Sequence, residues 1–432
     1  MLKIIICALG LALSVSAAAL AADFPVAKPE DVGLQPLAIT HLDDAMTALV
    51  DSGHRAGVIW AVAKDGKLVT HKAAGLRDIE NALPMQTDTW VRYYSMTRAV
   101  TAVAVMMMYE EGKFALDDPV ANFIPAFTDT QVLKDRKGDP TATKPQTSPL
   151  TVYHLLTYTS GLGYPFDYDP SLDVGFDTIL SSGITIEQGV NTLASKPLLF
   201  QPGTHWYYGF SGDVLGRLVE VWSGQRYDEF LQSRIFKPLG LTDIGFQLAD
   251  GDFHKLAKVY RPDETGKMAD ATAGLPPINS FRAGDTIFSG GGGLAGTALD
   301  YLAIAQLLLN GGELKGVRLL KPETVALITR NHLTEEQGPL NWYAQGRFTK
   351  TDPWRRQDGY GWGLSIGVRI PDEPHTIGGG RGEFTWDGFA NTTFFADPEN
   401  GIVAIALSQY LGPNQDELVH TLRTALYGAL GD

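Results

Sequence analysis

The sequence predicts an α/β protein of the α+β type: an antiparallel sheet built from both ends of the chain, flanked by helices, with a mainly helical domain inserted between those ends. Three observations carry this. Strand-like runs gather near the beginning and near the end of the 432 residues. Between them apolar positions recur at helical spacing. One segment, residues 90–112, is apolar nearly all the way round, which is the pattern of a helix buried inside a large protein.

Taken in order, the chain opens with Met1-Leu2-Lys3 and an apolar run over residues 4–20 that ends in Ala19-Leu20-Ala21. A charged start, an apolar stretch and a small-x-small ending read as a secretory signal peptide over residues 1–21. The short run and its small residues argue against an uncleaved anchor, so the expectation is an exported chain, periplasmic or secreted, with no stable membrane insertion. The single cysteine, Cys7, lies inside that leader. Thiol catalysis, disulfides and cysteine-held zinc are thereby excluded from the mature protein. A net charge of −14 without a basic run argues against nucleic acid or an anionic membrane as partner.

Residues 36–51 carry apolar side chains at helical spacing. Residues 57–63 and 67–72 are strand-like and flank Asp65-Gly66, a strong hairpin signal. After the buried helix, a polar stretch from 128 to 148 reads as a surface excursion, and residues 150–157 start another helix. The loop over 165–176, with its aromatics and aspartates, suits the rim of a cleft. Helical spacing returns at 186–193, 212–222 and 227–236, then at 299–309 after the glycine run 290–293. Strands are expected at 362–370, 389–396 and 401–407, and a last amphipathic helix at 415–430. The domain reading is a sheet domain from residues 22–94 and 285–432, discontinuous around a mainly helical domain at 95–284.

Ser95 opens the buried helix, where free N–H groups and the positive dipole end gather. Arg98 follows one turn later on the same face. A serine in such a place is commonly only an N-cap. Other chemistries find no support: His-Glu-x-x-His is absent, and the nine histidines are scattered, so no metal is expected. Gly291-x-Gly293-x-x-Gly296 matches the dinucleotide fingerprint only formally, because no parallel βαβ unit surrounds it. These glycines read better as a close backbone approach beside a cleft. No cofactor is expected.

Seven stretches in order then carry a resemblance: Ser95-Met-Thr-Arg98, residues 110–119, Leu155-Leu-Thr-Tyr-Thr-Ser-Gly161, Tyr208-Gly-Phe-Ser-Gly-Asp-Val-Leu-Gly216, residues 236–240, Ser289-Gly-Gly-Gly-Gly-Leu294 and Trp386-Asp387-Gly388. Over residues 30 to 430 the chain resembles the serine β-lactamase and penicillin-binding-protein superfamily, and within it the class C-like branch of esterases and acyl transferases. The resemblance implies that fold, with Ser95 as acylated nucleophile and Tyr208, beside Tyr207, as proton shuttle. It implies an oxyanion hole from the backbone N–H groups of Ser95 and Phe389, and a substrate cleft along Trp386, Asp387 and Gly388 with Tyr164 among its aromatics. Four positions depart from the pattern. Arg98 stands for lysine, Phe210 for asparagine, Tyr158 for the histidine of Leu-Thr-His-Thr-Ser-Gly, and Trp386 for the lysine of Lys-Thr-Gly. The last removes a cation that would hold a β-lactam or peptide carboxylate.

Guanidinium keeps its charge in any protein interior, so Arg98 cannot be a general base. Its field can still favour a phenolate: lowering a tyrosine from about 10 toward 7 takes roughly 4 kcal/mol, and a charge about 4 Å away supplies roughly that at an effective dielectric of about 20. The functional expectation is an exported serine hydrolase that cleaves small carboxylic esters, or amides, through a Ser95 acyl-enzyme. Beside it stand a catalytically impaired binding protein on the same fold, and an acyltransferase or weak β-lactamase.

Overall fold

Successive side chains of a strand point to opposite faces, and in β1 (Gly57–Lys64) every residue before the last is buried. Ile59, Ala61 and Ala63 enter one core while Val58, Trp60 and Val62 enter another. The sheet is therefore covered on both sides. The computed structural model describes residues 24–432 except 137–138, 140, 168–182, 276–279, 283–286, 338–358, 371–377, 429 and 431–432. The expected signal peptide and most of the expected aromatic rim loop lie outside the described residues.

β2 (Lys67–Asp78), β3 (Leu83–Pro84), β4 (Tyr360–Trp362), β5 (Gly367–Arg369), β6 (Phe384–Gly388), β7 (Thr392–Asp397) and β8 (Ile402–Leu407) complete an antiparallel sheet in the order β4-β5-β6-β7-β8-β1-β2-β3. Ile59 of β1 stands opposite Leu407 of β8, so the two ends of the chain meet at the sheet's centre. Asp65 and Gly66 turn between β1 and β2 with φ of 51° and 73°, the left-handed pair that a two-residue hairpin needs.

One face is covered by α1 (Pro36–Asp51), which buries Ile39, Leu42, Met46 and Leu49, and by the C-terminal α7 (Asp416–Tyr427), which buries Leu418, Leu422 and Leu426. The other face carries α6 (Ala298–Leu309) and, beyond it, α2 (Thr97–Glu110), α3 (Val152–Leu156), α4 (Ile186–Ala194) and α5 (Ser211–Ser223). Among the described residues no helix is long and apolar enough to cross a membrane.

Three elements differ from the sequence reading. The apolar run at 362–370 is not one strand but the hairpin of β4 and β5, because Gly363 and Ser365, the latter at φ 67°, turn the chain between them. A side chain at Gly363 would meet the Ile328 carbonyl at 2.1 Å. The strand expected from 389 begins only at Thr392, since Asn391 at φ 62° closes a turn after β6. In the stretch 227–236 the helix is regular to Leu231 and becomes a π-turn over Gln232–Phe236.

Candidate active site

The chain reaches Ser95 through a short strand, Val91–Arg92, paired to Ala295–Gly296 just beyond the glycine run. It then makes one tight turn, Tyr94–Met96, before α2. Tyr94 sits at φ 48°, a conformation that costs a bulky side chain energy and persists only where neighbours impose it. They do so here: the Tyr93 N–H donates to the Leu294 carbonyl at 2.9 Å, its hydroxyl to the Thr297 carbonyl at 2.5 Å, and its own carbonyl accepts from Thr392 Oγ1 at 3.2 Å. The outcome is that Ser95 alone among residues 90–108 is not buried. The caps of the turn and of α2 fall at Tyr93 and Met96 without a side-chain bond, so Ser95 is not used as an N-cap.

Tyr208 faces Ser95, close enough for the serine hydroxyl to act on its phenol. It stands three residues before α5, on a segment stitched to the end of α3 by the bond from the Tyr207 N–H to the Tyr158 carbonyl at 2.8 Å. Of the two adjacent tyrosines, Tyr207 turns away, its hydroxyl accepting from Arg136 and donating to Asp167. Between Tyr208 and α5 the glycine at 209 is obligatory, because a Cβ there would lie 2.1 Å from the Leu162 carbonyl. Gly209→Ala is expected to lower the unfolding free energy by about 1–3 kcal/mol, the usual cost of overpacking, and to disturb Tyr208 next to it. Denaturant unfolding measures the first effect; an unchanged midpoint would show the contact is not tight.

Trp386, in β6, donates its indole N–H to the Tyr208 hydroxyl at 2.8 Å. The ring is buried against Trp362, 4.5 Å away edge-on. Gly388 ends β6 directly against the nucleophile's turn: a Cβ on it would come 2.2 Å from the Tyr93 carbonyl. Phe389 follows, 60% exposed, with its ring edge-on to Tyr94 at 5.7 Å. The structure thus brings together Ser95, Tyr208, Trp386, Gly388 and Phe389. Asp387 stands between them on β6, opposite Thr393 and half-buried.

Arg98 is buried and gives its Nε–H to the Tyr158 hydroxyl at 2.7 Å. One terminal nitrogen donates to the Gly291 carbonyl and the other to the Tyr164 hydroxyl. Its carbon lies 4.4 Å from the centre of the Tyr208 ring, a cation over a π-face. Burial works against its charge, but Tyr158, Tyr164, Tyr208 and Asp213 more than offset that and hold the guanidinium protonated. Tyr164 is half-buried, with its ring edge on Phe210 at 4.8 Å.

The expected phenolate needs correcting on one point. Burial pushes the Tyr208 hydroxyl above the usual tyrosine range, and the pull of Arg98, with the bonds from Ser95 and Trp386, is smaller. Tyr208 is therefore a neutral phenol near pH 7.

Sequence reasoning missed two participants. Asp213 is buried on α5, accepts from Ser289 Oγ at 2.5 Å and from the Gly291 N–H at 3.4 Å, and so holds the residue whose carbonyl receives Arg98. Burial raises its carboxyl above the usual value despite these bonds. Tyr158 was marked only as a departure, although its ring stacks on Tyr208 at 5.5 Å. The glycine run is the close approach expected of it: Cβ atoms at Gly290 and Gly291 would meet the Gly212 carbonyl at 2.3 Å and the Asp213 carboxylate at 2.5 Å. Among the described residues no group of acidic, histidine or cysteine side chains is arranged to hold a metal.

Comparison with known proteins shows what the whole chain is similar to. The chain is 30% identical to a lovastatin esterase of Penicillium rubens, over 88% of this chain and 96% of that one. It is also 30% identical to the esterase EstB of Burkholderia gladioli, over 86% and 90%. Among solved structures it superposes on EstCE1, described as a hydrolase with promiscuous acyltransferase activity, with a TM-score of 0.72 at 25% identity, covering 90% of this chain and 98% of that one. The sequence profile of the family described as Beta-lactamase matches residues 42–429. With the β-lactamase and transpeptidase-like fold and this span of similarity, the chain belongs to the Beta-lactamase family.

Proposed function

We propose that this protein is an exported serine hydrolase that cleaves small carboxylic esters through an acyl-enzyme at Ser95. The observation that carries the reading is Ser95 itself. It is the one accessible residue of a buried segment, held on a strained turn and set beside a tyrosine hydroxyl rather than capping its helix. The esterases among its relatives support the same reaction class.

In the proposed reaction Ser95 Oγ attacks the ester carbonyl and its proton passes to the oxygen of Tyr208. The backbone N–H groups of Ser95 and Phe389 receive the developing oxyanion. As the tetrahedral intermediate collapses, Tyr208 returns the proton to the leaving alcohol. Water then repeats the sequence on the acyl-enzyme. Trp386 orients the Tyr208 oxygen, while Arg98, always a cation, favours its anionic form without accepting a proton. The apolar edge made by Phe389 and Tyr94 suits an uncharged ester better than a carboxylate-bearing β-lactam.

Because the base is a phenolate and burial raises that phenol, the competent form is a minority at neutral pH. The rate constant kcat/KM is expected to rise with pH and to go on rising past about pH 10, the ordinary tyrosine value. A profile that levels off near neutrality would assign the proton transfer to another group. Acyl transfer to an alcohol or amine is the second reading, supported by the similarity to EstCE1. A panel of nitrophenyl esters and a chromogenic cephalosporin, with and without added alcohol, tests both. Failure of Ser95 to react with any ester or with a fluorophosphonate would leave a binding protein.

A further inference from the structure

Two of the positions at which this chain departs from its resemblance touch each other. Arg98 stands in place of lysine and Tyr158 in place of histidine, and Arg98 Nε donates to the Tyr158 hydroxyl at 2.7 Å. We propose that Tyr158 is a positioning residue for Arg98 during acylation, and that arginine with tyrosine forms a unit exchangeable as a whole for lysine with histidine. This rests on the serine-hydrolase reading above.

A lysine brings a single charge to the end of a flexible stem. An arginine adds an Nε–H part of the way along, and the plane of its fork follows from the partner that Nε finds. Here that partner is a phenol that cannot move. Tyr158 is fully buried at φ 56°, its N–H bonded to the Leu155 carbonyl at 3.2 Å and its carbonyl to the Tyr207 N–H at 2.8 Å. Its ring lies nearly parallel to that of Tyr208, 5.5 Å away at 23°.

One frame therefore holds both the base and the acceptor that aims the cation. With Nε fixed, the terminal nitrogens reach the Gly291 carbonyl and the Tyr164 hydroxyl, and the charge sits over the Tyr208 ring. The ionisable groups facing this cation are Tyr158, Tyr164, Tyr208 and Asp213. Tyr158 and Tyr164 accept hydrogen bonds from it whereas Asp213 forms no ion pair with it, so its orientation depends on the two phenol hydroxyls and on one peptide carbonyl. Removing the Tyr158 hydroxyl leaves a buried charged donor unpaired and frees the fork to rotate. Placing lysine at 98 leaves the Tyr158 hydroxyl without its donor. Each single exchange thus leaves a buried polar group unsatisfied, and the paired exchange removes both groups together.

The test compares wild type, Tyr158→Phe, Arg98→Lys and the double variant Arg98→Lys/Tyr158→His. It measures kcat and KM for nitrophenyl acetate against pH, and the rate of labelling of Ser95 by a fluorophosphonate. Tyr158→Phe is expected to lower kcat by about tenfold or more, equivalent to about 1.4 kcal/mol or more, with KM little changed and the rising limb moved to higher pH. Arg98→Lys alone is expected to fall by a similar factor. The double variant is expected to recover most of the loss and to gain a plateau nearer neutrality, since lysine can deprotonate where arginine cannot.

A folded Tyr158→Phe with unchanged kcat and pH profile overturns the proposal. So does a double variant no more active than Arg98→Lys, a comparison that stands even if Tyr158→Phe fails to fold. A wild type that neither turns over esters nor accepts the label overturns the hydrolase reading first, and the positioning role falls with it.

Discussion

Ser95→Ala is expected to reduce ester turnover to background and to abolish fluorophosphonate labelling, while the protein unfolds within about 1 kcal/mol of the parent. The activity loss follows from chemistry: without Oγ no acyl-enzyme forms at this position. The small stability change follows from position. Ser95 is only half-buried, makes no capping bond, and the strained turn around it is held by Tyr93 and Thr392. Steady-state rates and denaturant unfolding on the same preparation check both halves. Substantial turnover in a folded Ser95→Ala would remove the nucleophile assignment altogether.

Tyr208→Phe is the second large effect. The substitution keeps the ring, its packing against Tyr158 and Trp386, and the cation above it, and deletes only the oxygen that faces Ser95 and receives the indole N–H. A general base contributes about 10²–10⁴-fold, so kcat/KM is expected to fall by about that factor at any pH where the wild type is active. The variant should also lose the steep rise toward alkaline pH. Should the rate fall by less than about tenfold, under about 1.4 kcal/mol of transition-state stabilisation, Tyr208 is a wall of the cleft and the proton goes elsewhere.

The fold class and the family resemblance were legible from the order of strand-like runs and motifs along the chain, and single elements from local signals. The helix Pro36–Asp51 and the Asp65-Gly66 hairpin follow from periodicity and turn chemistry within a few residues, and they appear where those signals place them. The position of Ser95, at the start of a nearly all-apolar helix, was visible in the same way, while its proposed role came from the ordered motifs of the resemblance. Boundaries blurred where burial was uniform. The run 362–370 is strand-like along most of its length, and only the close approach of Ile328 to Gly363 shows why it must turn.

The site's second layer was not legible, because it is made of distant pairs. Arg98 meets Tyr158 across 60 residues and Gly291 across 193, and no window of sequence holds both ends. The balance at Tyr208 could not be closed from sequence for a related reason: the field of one arginine can be counted there, whereas the depth of the phenol's burial cannot. The family pattern also pointed to both departures, Arg98 and Tyr158, without showing that they are in contact.

The most direct measurement is the intact mass of the protein quenched during turnover of a nitrophenyl ester, followed by peptide mapping. The account predicts one acyl group per chain, carried on the peptide that contains Ser95, accumulating faster as pH rises and absent from Ser95→Ala. Ester turnover with no acylated chain at any pH, or an acyl group mapped to another residue, would contradict it.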